Sequence, residues 1–314
     1  MRVEVTRGDL VESLHEVAAC AVDPRGGVVY ASGDVTAPVY LRSAAKPFIA
    51  AAVVAAGARE RFSLDEREIA MIAASHAGEP FHIEAVESIL RKIGLSESAL
   101  QCGLQPPRDP SPIYNNCSGK HAGILALCII LGADTATYLE PDNPAQQAIL
   151  ALCARLCDDD ARTWPLGVDG CGIPVYATSL RQAALSFARL ASPVGVDDGD
   201  AAALRVVRAA MLAFPEYVAG IGELDTVLMQ ATRGSLVAKG GAEGVHGIAA
   251  IVAGLGYVSK VLDGAGRARG PSTLAALVHL GVLDDAQAME LARFGRPIVY
   301  NRAGRMVGEI RAIV

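Results

Sequence analysis

Patterns typical of β-strands lie at the two ends of this 314-residue chain, and their placement constrains the fold more than any other feature. Alternating or β-rich stretches near both termini are separated by a long, mostly helical middle part. Because strands must pair to satisfy their backbone hydrogen-bonding groups, the two ends of the chain are expected to meet. The strand patterns span 2–8, 15–34 (a hairpin pattern), 234–241, 244–254, 256–264 and a last hairpin around Asn301–Gly304.

Strands at both ends with helices between them predict an α+β fold. We expect a mostly antiparallel sheet built from both chain termini, with helices packed around it and a helical lobe. No stretch has the length and composition of a linker that divides the chain, so a single domain over 1–314 is expected. Its sheet part would cover about 1–42 and 232–314, and its helical lobe about 43–231.

The helical part has the apolar periodicity of packed helices from Ser43 to about Phe214. One of its runs, 63–75, carries Ser63 and Glu66 at the spacing of a capping box, which predicts a helix start there. Two more helical runs are predicted near the C-terminus, at 271–280 and 284–294.

Composition and charge exclude several classes of protein. The net charge is −6 and no basic block occurs, which argues against a nucleic-acid partner because phosphates require clustered Lys and Arg. The apolar runs 48–58 and 123–133 are shorter than the about 20 residues that a bilayer requires, so no membrane association is expected. The N-terminus lacks a secretory pattern and the seven cysteines are an odd number, so a cytoplasmic location is expected.

The first candidate for chemistry is "RSAAKP", which places Ser43 three residues before Lys46. On one helix these positions share a face, so the hydroxyl and the amine could form a hydrogen bond. A serine becomes a nucleophile when a base removes its proton, and lysine can be that base if burial keeps it neutral. The alternative is a capping serine followed by an exposed lysine.

Two further motifs supply polar groups at predicted element ends. In "ASHAGEP", Ser75, His76 and Glu79 follow an apolar helix, although a helix C-terminal turn explains the same pattern. In "VAKGG", Lys239 precedes Gly240 and Gly241, two glycines that allow a ligand to approach the backbone closely. Lys239 could partner Ser75, or it could be a solvated lysine on a strand edge.

Cysteines supply the fourth candidate. Only Cys117 and Cys171 lie in polar, glycine-bearing loops, "NNCSGKHAG" and "VDGCGIPV". Thiolates in such loops bind soft divalent metals, most often zinc. Lys120 and His121 are rival candidates for a third ligand, since an amine binds metal only after losing its proton. A disulfide between the two cysteines and a pair of plain buried thiols are the alternatives.

Taken in order, "LRSAAKP", "ASHAGEP", "NNCSGKHAG", "VDGCGIPV" and "AKGGAEG" resemble the asparaginase II family of the Rhizobium etli inducible type. The resemblance covers essentially the whole chain. It implies an L-asparagine amidohydrolase, a fold similar to serine β-lactamases and penicillin-binding proteins, and a homodimer. It also implies two Ser–Lys pairs, Ser43 with Lys46 and Ser75 with Lys239, and a zinc site of Cys117, Lys120 and Cys171.

A mechanism follows as a hypothesis. Ser43 would attack the amide with Lys46 as general base, while Ser75 and Lys239 relay the proton to the leaving group. The substrate's ammonium would be held by Asp169 and Glu79 and its carboxylate by Arg42. Zinc would orient the substrate and loops. Five further residues would complete the pocket: Asn116, His76, His121, Gly240 and Gly241.

Rival functions remain open at this point. A glutaminase differs by one methylene, which a binding site discriminates by only about 1–3 kcal/mol. A β-lactamase-like serine hydrolase acting on a different amide fits the Ser-x-x-Lys and Lys-Gly-Gly motifs as well. A non-catalytic protein that binds a metal or an amino acid is the third alternative.

Overall fold

The computed structural model describes residues 1–105 and 111–314, and in them the strands form one large and one small antiparallel sheet. The large sheet has eight strands in the order β10-β11-β1-β2-β9-β8-β7, with β3 paired to β2. The first and last strands of the chain are neighbours, as the sequence predicts. The strands are β1 (Arg2–Arg7), β2 (Leu10–Val22), β3 (Val28–Ser32), β4 (Pro38–Tyr40), β5 (Leu166–Val168), β6 (Pro174–Ser179), β7 (Leu236–Gly241), β8 (Val245–Ala250), β9 (Leu255–Val261), β10 (Ile298–Tyr300) and β11 (Met306–Ile313).

Strand β2 joins the terminal strands to the late ones. Its first half pairs with β1, where Arg2 lies opposite Glu16, and its second half pairs with β9, where Val17 lies opposite Val261. On the other side of β1, Arg2 lies opposite Ile313 of β11. The α+β fold with a sheet assembled from both termini is therefore confirmed.

Helices form the middle of the chain and one part of the C-terminal region. None of the described helices combines the length and the apolar character of a bilayer span. The helices are α1 (Lys46–Ala55), α2 (Ala58–Phe62), α3 (Glu66–Ile72), α4 (Pro80–Lys92), α5 (Ser118–Leu131), α6 (Pro144–Cys157), α7 (Leu180–Ala191), α8 (Asp198–Ala213), α9 (Pro215–Val218), α10 (Leu224–Ala231), α11 (Arg269–His279), α12 (Asp285–Glu290) and α13 (Ala292–Gly295).

Glycines let the helical part pack closely on the sheet. A Cβ at Gly256 of β9 would lie 2.0 Å from the backbone nitrogen of Ala188, and one at Gly247 of β8 would lie 2.0 Å from the ring of Phe187. Helix α7 therefore sits directly on the bare backbone of two strands, which excludes water from the centre of the core.

Local details differ from the sequence predictions in three places. Helix α3 is capped by Asp65 and Glu68, not by Ser63 and Glu66, because Ser63 ends α2 in a left-handed conformation. The helix predicted from Ser43 begins as a 3-10 turn, Arg42–Ala45, and becomes α-helical at Lys46. The run 284–294 is divided into α12 and α13.

A small sheet inside the helical part was not predicted. Strands β4, β6 and β5 pair in that order, and Val39 of β4 lies opposite Thr178 of β6. This sheet places the segments before Arg42 and around Asp169 close together, which matters for the site below.

Candidate active site

Three elements bring two lysines to one serine. Lys46 is the first residue of α1, Ser75 follows the end of α3, and Lys239 lies in β7. The Nζ atoms of Lys46 and Lys239 are each 2.9 Å from the Oγ of Ser75. The structure therefore brings together three of the four predicted catalytic residues: Lys46, Ser75 and Lys239.

The backbone around Ser75 is held from several sides. Its N–H donates to the carbonyl of Val218, and the N–H of His76 donates to the carbonyl of Asn116. Lys46 also donates to the carbonyls of Ala74 and Asn116, at 2.6 and 3.2 Å. These hydrogen bonds fix the backbone on both sides of Ser75 and so hold its hydroxyl between the two amines.

Both lysines are almost completely buried, with 1% of each residue exposed. Burial disfavours an ammonium, and the positive charge of Lys120 adds to this effect, so the pKa of Lys46 falls below its usual value. Burial and the charges of Lys46 and Arg269 lower the pKa of Lys239 to about 7. The amine of Lys239 can therefore accept a proton near neutral pH, which an exposed lysine cannot do.

Asp225 of α10 supports Lys239 from behind. Its carboxylate accepts from the N–H of Gly240 at 2.6 Å, pairs with the Nε2 of His246 at 3.0 Å and lies 3.9 Å from the Nζ of Lys239. Burial opposes its ionisation, but the hydrogen bond with His246 and the nearby cations outweigh burial and hold the pKa of Asp225 well below its usual range. Asp225 and His246 were not among the site residues predicted from the sequence.

Ser43 lies beside this group in the 3-10 turn that precedes α1. Within residues 1–105 and 111–314, no hydrogen bond joins its hydroxyl to Lys46, whose amine is engaged with Ser75 and two carbonyls. The turn is fixed by Gly241, where a Cβ would lie 2.7 Å from the carbonyl oxygen of Leu41. The predicted Ser43–Lys46 pair is thus near in the chain but not in contact.

Arg42 and Asp169 bind each other. The Nη2 of Arg42 lies 2.8 Å from the Oδ1 of Asp169. Arg42 has a φ of 52°, in the left-handed region that residues with a side chain seldom adopt. Burial opposes ionisation of Asp169, yet the charges of Lys120 and Arg42 lower its pKa. These two predicted substrate ligands therefore neutralise each other in this structure.

His76 is fully buried, and both of its ring nitrogens are bound within the protein. Its Nδ1 accepts from the N–H of Gly78 at 3.1 Å, and its Nε2 lies 2.9 Å from the hydroxyl of Ser118. These bonds tie the segment after Ser75 to the start of α5. Glu79 holds another segment, since its Oε2 accepts from the N–H of Ile221 at 3.3 Å.

His121 has one nitrogen bound and one unbound among the described residues. Its Nδ1 is 2.7 Å from the hydroxyl of Tyr138, which also accepts from the N–H of Gln101 at 2.7 Å. The buried Nε2 has no partner in the described part of the chain. Burial and the charges of Lys120 and Lys46 keep the pKa of His121 well below its usual value, so this ring is neutral.

Cys117, Lys120 and Cys171 form a buried cluster. Both cysteines are free thiols, so the disulfide alternative is not formed. The Nζ of Lys120 lies 2.9 Å from the Sγ of Cys171. A hydrogen bond from Cys171 lowers the pKa of Cys117, and Lys120 acts in the same direction. The neighbouring sulfur of Cys117 and burial act in the opposite direction on Cys171, whose pKa is raised.

These residues fit zinc by their donor chemistry. Two sulfurs and an amine are in one buried place, a donor set that zinc accepts. Despite burial, the nearby Cys117, Cys171 and Asp169 raise the pKa of Lys120, so its ammonium would have to lose a proton against their attraction. No group of three or more His, Cys, Asp or Glu side chains suited to a metal occurs in the described ranges. A metal here would therefore depend on Lys120 as its third ligand, after loss of the lysine proton.

The glycines of "SGKHAG" have a packing role that the sequence analysis did not identify. A Cβ at Gly119 would lie 2.4 Å from the carbonyl of Met71, and one at Gly123 would lie 2.5 Å from the side chain of Ile72. Helix α5 therefore packs directly against the end of α3. This contact carries Cys117 and Lys120 to the segment that holds Ser75.

The family is decided by a match along the chain. A model of the family described as L-asparaginase II matches residues 3–312. The chain belongs to the L-asparaginase II family. Membership makes the protein an amidohydrolase of the asparaginase type that acts on a small molecule, and it confirms the resemblance carried by the five motifs.

Other comparisons are more distant. The chain is similar to a β-lactamase from Mycobacterium bovis, at 17% identity and a TM-score of 0.47, covering 85% of this chain and 96% of that one. It is also similar to Mglu in its native form, at 15% identity and a TM-score of 0.40, covering 85% of this chain and 61% of that one. No curated protein sequence matches significantly. Nothing about the activity of this L-asparaginase II family member follows from such distant similarity.

Proposed function

We propose that this protein is an L-asparaginase that hydrolyses L-asparagine to L-aspartate and ammonia through Ser–Lys catalysis. One observation carries the proposal within the family: the hydroxyl of Ser75 is held at 2.9 Å between two buried amines. Such an arrangement can move a proton between two sites without a histidine or a carboxylate.

Ser43 attacks the amide carbonyl carbon in this proposal, and Lys46 receives its proton. In the tetrahedral intermediate the amide nitrogen takes a proton from Ser75 as Ser75 takes one from Lys46, and the C–N bond then breaks to release ammonia. Lys239 keeps the Ser75 hydroxyl oriented and shares the proton with it. The product on the enzyme is an ester of Ser43, and water cleaves it by the same steps in reverse. The contact between Ser43 and Lys46 would form when substrate binds, because catalytic hydrogen bonds often tighten only then.

Zinc, when bound, would supply a fixed positive charge that orients the substrate and the two loops. Cys117, Lys120 and Cys171 would hold it. Within the chain itself, the ammonium of Lys120 already holds the loop of Cys171 against α5 at 2.9 Å. The nucleophile and the base come from the serines and lysines.

The test of the proposal compares Ser43→Ala and Ser75→Ala with Ser98→Ala, an exposed serine outside the site. We expect the first two to lose ammonia release from L-asparagine by about 10²–10⁴-fold or more, and the control to match the wild type. Rapid quench and peptide mass spectrometry should find the aspartyl ester on Ser43. An ester on Ser75 would reverse the two roles, and full activity in both variants would reject Ser–Lys catalysis. L-Glutamine in a parallel assay separates an asparaginase from a glutaminase.

A second test concerns the metal. Cys117→Ala and Cys171→Ala should lose stoichiometric zinc, measured by elemental analysis after dialysis, because each removes one of only two sulfur ligands. Cys20→Ala, in the core of β2, is the control and should keep the metal. Equal zinc content in all four proteins, or none in the wild type, would contradict the zinc site.

A further inference from the structure

A polar cavity of ≈ 200 Å³ opens on the side of Ser75 that faces Lys239. Its wall includes Ser75, Lys239 and Gly240, and its other charged members are Asp225, Glu223 and Arg269. Arg42 and Asp169 do not line this cavity. They belong to a separate, largely apolar one on the Lys46 side. The two arginines near the site therefore face different spaces.

Among the residues that the structure describes, Arg269 forms no ion pair with a carboxylate. The nearest acceptor of its Nη1 is the carbonyl of Gly241, at a long 3.4 Å. Its Nε is buried and has no hydrogen-bond partner among the described residues. No carboxylate of residues 1–105 or 111–314 forms an ion pair with it, whereas Arg42 is paired with Asp169. A buried donor left unpaired in this way is costly, which favours a ligand that accepts from it.

The carboxylate of Asp225, which lines the same cavity, is already engaged. One of its oxygens accepts from Gly240 at 2.6 Å and the other pairs with His246 at 3.0 Å. Asp225 therefore serves the strand that carries Lys239, and no hydrogen bond or ion pair joins it to Arg269 in the described part of the chain.

The surroundings of Arg269 increase the attraction for an anion. Arg269 is the first residue of α11, where the helix dipole places a partial positive charge. The neighbouring amine of Lys239 points to the same cavity. Gly240 leaves the guanidinium room, because a Cβ there would lie 2.6 Å from the Nη1 of Arg269. Any side chain at position 240 would displace the guanidinium.

We propose that Arg269 binds the α-carboxylate of the amino-acid substrate, in the cavity between β7, α10 and the start of α11. The planar guanidinium matches a carboxylate by two parallel hydrogen bonds. Glu223 at the exposed mouth of the cavity matches the α-ammonium. This assignment replaces Arg42, whose guanidinium is occupied by Asp169, and it rests on the proposed function for the identity of the amide.

The experiment measures discrimination between two substrates, not activity alone. Ammonia release is followed with L-asparagine and with its α-methyl ester, which keeps the amide and lacks the charged carboxylate. The proteins are the wild type, Arg269→Gln, Arg269→Lys and the control Arg302→Gln, an exposed arginine in the last hairpin. The readout is kcat/KM for L-asparagine divided by kcat/KM for the ester. A change in the protonation of Lys239 would slow the hydrolysis of both substrates equally and leave this ratio unchanged.

We expect the wild type and Arg302→Gln to prefer L-asparagine over the ester. In Arg269→Gln the KM for L-asparagine should rise about 10–100-fold, whereas the KM for the ester should stay unchanged. The preference for L-asparagine over the ester should therefore vanish. Arg269→Lys keeps the charge but not the paired donors, so it should lose part of the preference. If Arg269→Gln does not fold, Arg269→Lys alone tests the carboxylate site.

The possible failures can be told apart. If the wild type hydrolyses L-asparagine and both Arg269 variants keep the full preference, the carboxylate site is rejected and the proposed function stands. If the wild type releases no ammonia, the proposed function is rejected, and calorimetry with L-aspartate decides the carboxylate site. Binding that is lost in Arg269→Gln supports the site, whereas equal or absent binding in both proteins overturns it.

Discussion

At the scale of single residues, the pKa of Lys239 is determined by neighbours that act in opposite directions. Asp225 of α10 favours its charged form, while burial and the cations Lys46 and Arg269 favour its neutral form. The balance places its pKa at about 7. Because a small change on either side alters the fraction of neutral amine, the rate should respond to pH in the neutral range.

The pH profile gives the first prediction at this scale. The neutral amine of Lys239 exists above its pKa of about 7 and is lost as pH falls through it, so kcat/KM should decline below pH 7. Asp225→Asn removes the negative charge that raises this pKa. The decline should therefore move to lower pH in that variant, measured as kcat/KM from pH 5 to 9. Asp9→Asn, in an exposed turn, is the control. If kcat/KM declines at the same pH in Asp225→Asn as in the wild type, the protonation of Lys239 does not govern the rate.

The residues of the site differ in how visible they are in the sequence. Ser75, Cys117 and Lys239 lie in short motifs that contain glycine and polar residues, and Lys46 lies in a Ser-x-x-Lys motif. These patterns made them candidates, and the family resemblance implied their roles. Asp225 and Arg269 lie in ordinary helical segments, "LDTVLMQA" and "RGPSTLAALVH", at a first turn where charged residues are common. Their roles depend on the packing of α10 against β7 and of α11 against β9 and β11, which brings both residues to one cavity and which no local pattern contains.

The contacts that the predicted residues make could not be predicted from the sequence either. The spacing of Ser43 and Lys46 indicated a contact along one helix, but the backbone is a 3-10 turn there and Lys46 turns to Ser75, 29 positions away. Arg42 and Asp169 were expected to hold opposite ends of a substrate. The small sheet of β4, β5 and β6 brings them together instead.

At the scale of elements, strand β7 acts as the support of the Ser43 turn. A Cβ at Gly241 would lie 2.7 Å from the carbonyl of Leu41 and 3.3 Å from the nitrogen of Ala44. Backbone atoms cannot rotate away as a long side chain can. The strand and the turn must therefore separate if residue 241 gains a side chain.

Gly241→Ala gives the prediction for this contact. We expect a loss of about 1–3 kcal/mol in the free energy of unfolding, from overpacking, together with a large fall in kcat. Gly266→Ala is the matched control, because a Cβ there meets nothing within 4 Å. Denaturant unfolding and the ammonia assay measure the two effects. Normal activity in Gly241→Ala would show that the turn tolerates displacement.

The start of α3 shows why element ends were harder to predict than elements. Ser63 with Glu66 and Asp65 with Glu68 both have capping-box spacing within one stretch, "SLDERE". The second pair is used because Ser63 adopts a φ of 52° to end α2. The choice was made by a neighbouring helix, so the pattern of α3 alone could not decide it. The helix itself was correctly predicted.

At the scale of the whole molecule, the outer strands expose apolar side chains at one end of the large sheet. Leu10 and Met306 are 70% exposed and Tyr300 is 61% exposed. Tyr300 pairs with Met306 across the last hairpin, and Gly8 beside Leu10 donates to Val307. The homodimer implied by the resemblance would cover such a surface.

The oligomeric state is therefore the prediction at this scale. Light scattering should give twice the 32.6 kDa mass of one chain. Met306→Glu places a charge in the apolar surface and should shift the protein toward one chain per particle. Val252→Glu, 84% exposed in the turn between β8 and β9, should not. A wild type that has the mass of one chain at micromolar concentration would contradict the dimer.

The position of β11 between β10 and β1 has a consequence for synthesis on the ribosome. Until the C-terminal residues emerge, β1 has β2 on one side and nothing on the other. The small core of Val3, Val5, Ile310 and Ala268 cannot close before then. Ala268 directly precedes Arg269. A nascent chain stopped before β11 would thus lack the support of the proposed carboxylate site, so the proposed substrate preference should appear only after β11 has been synthesised.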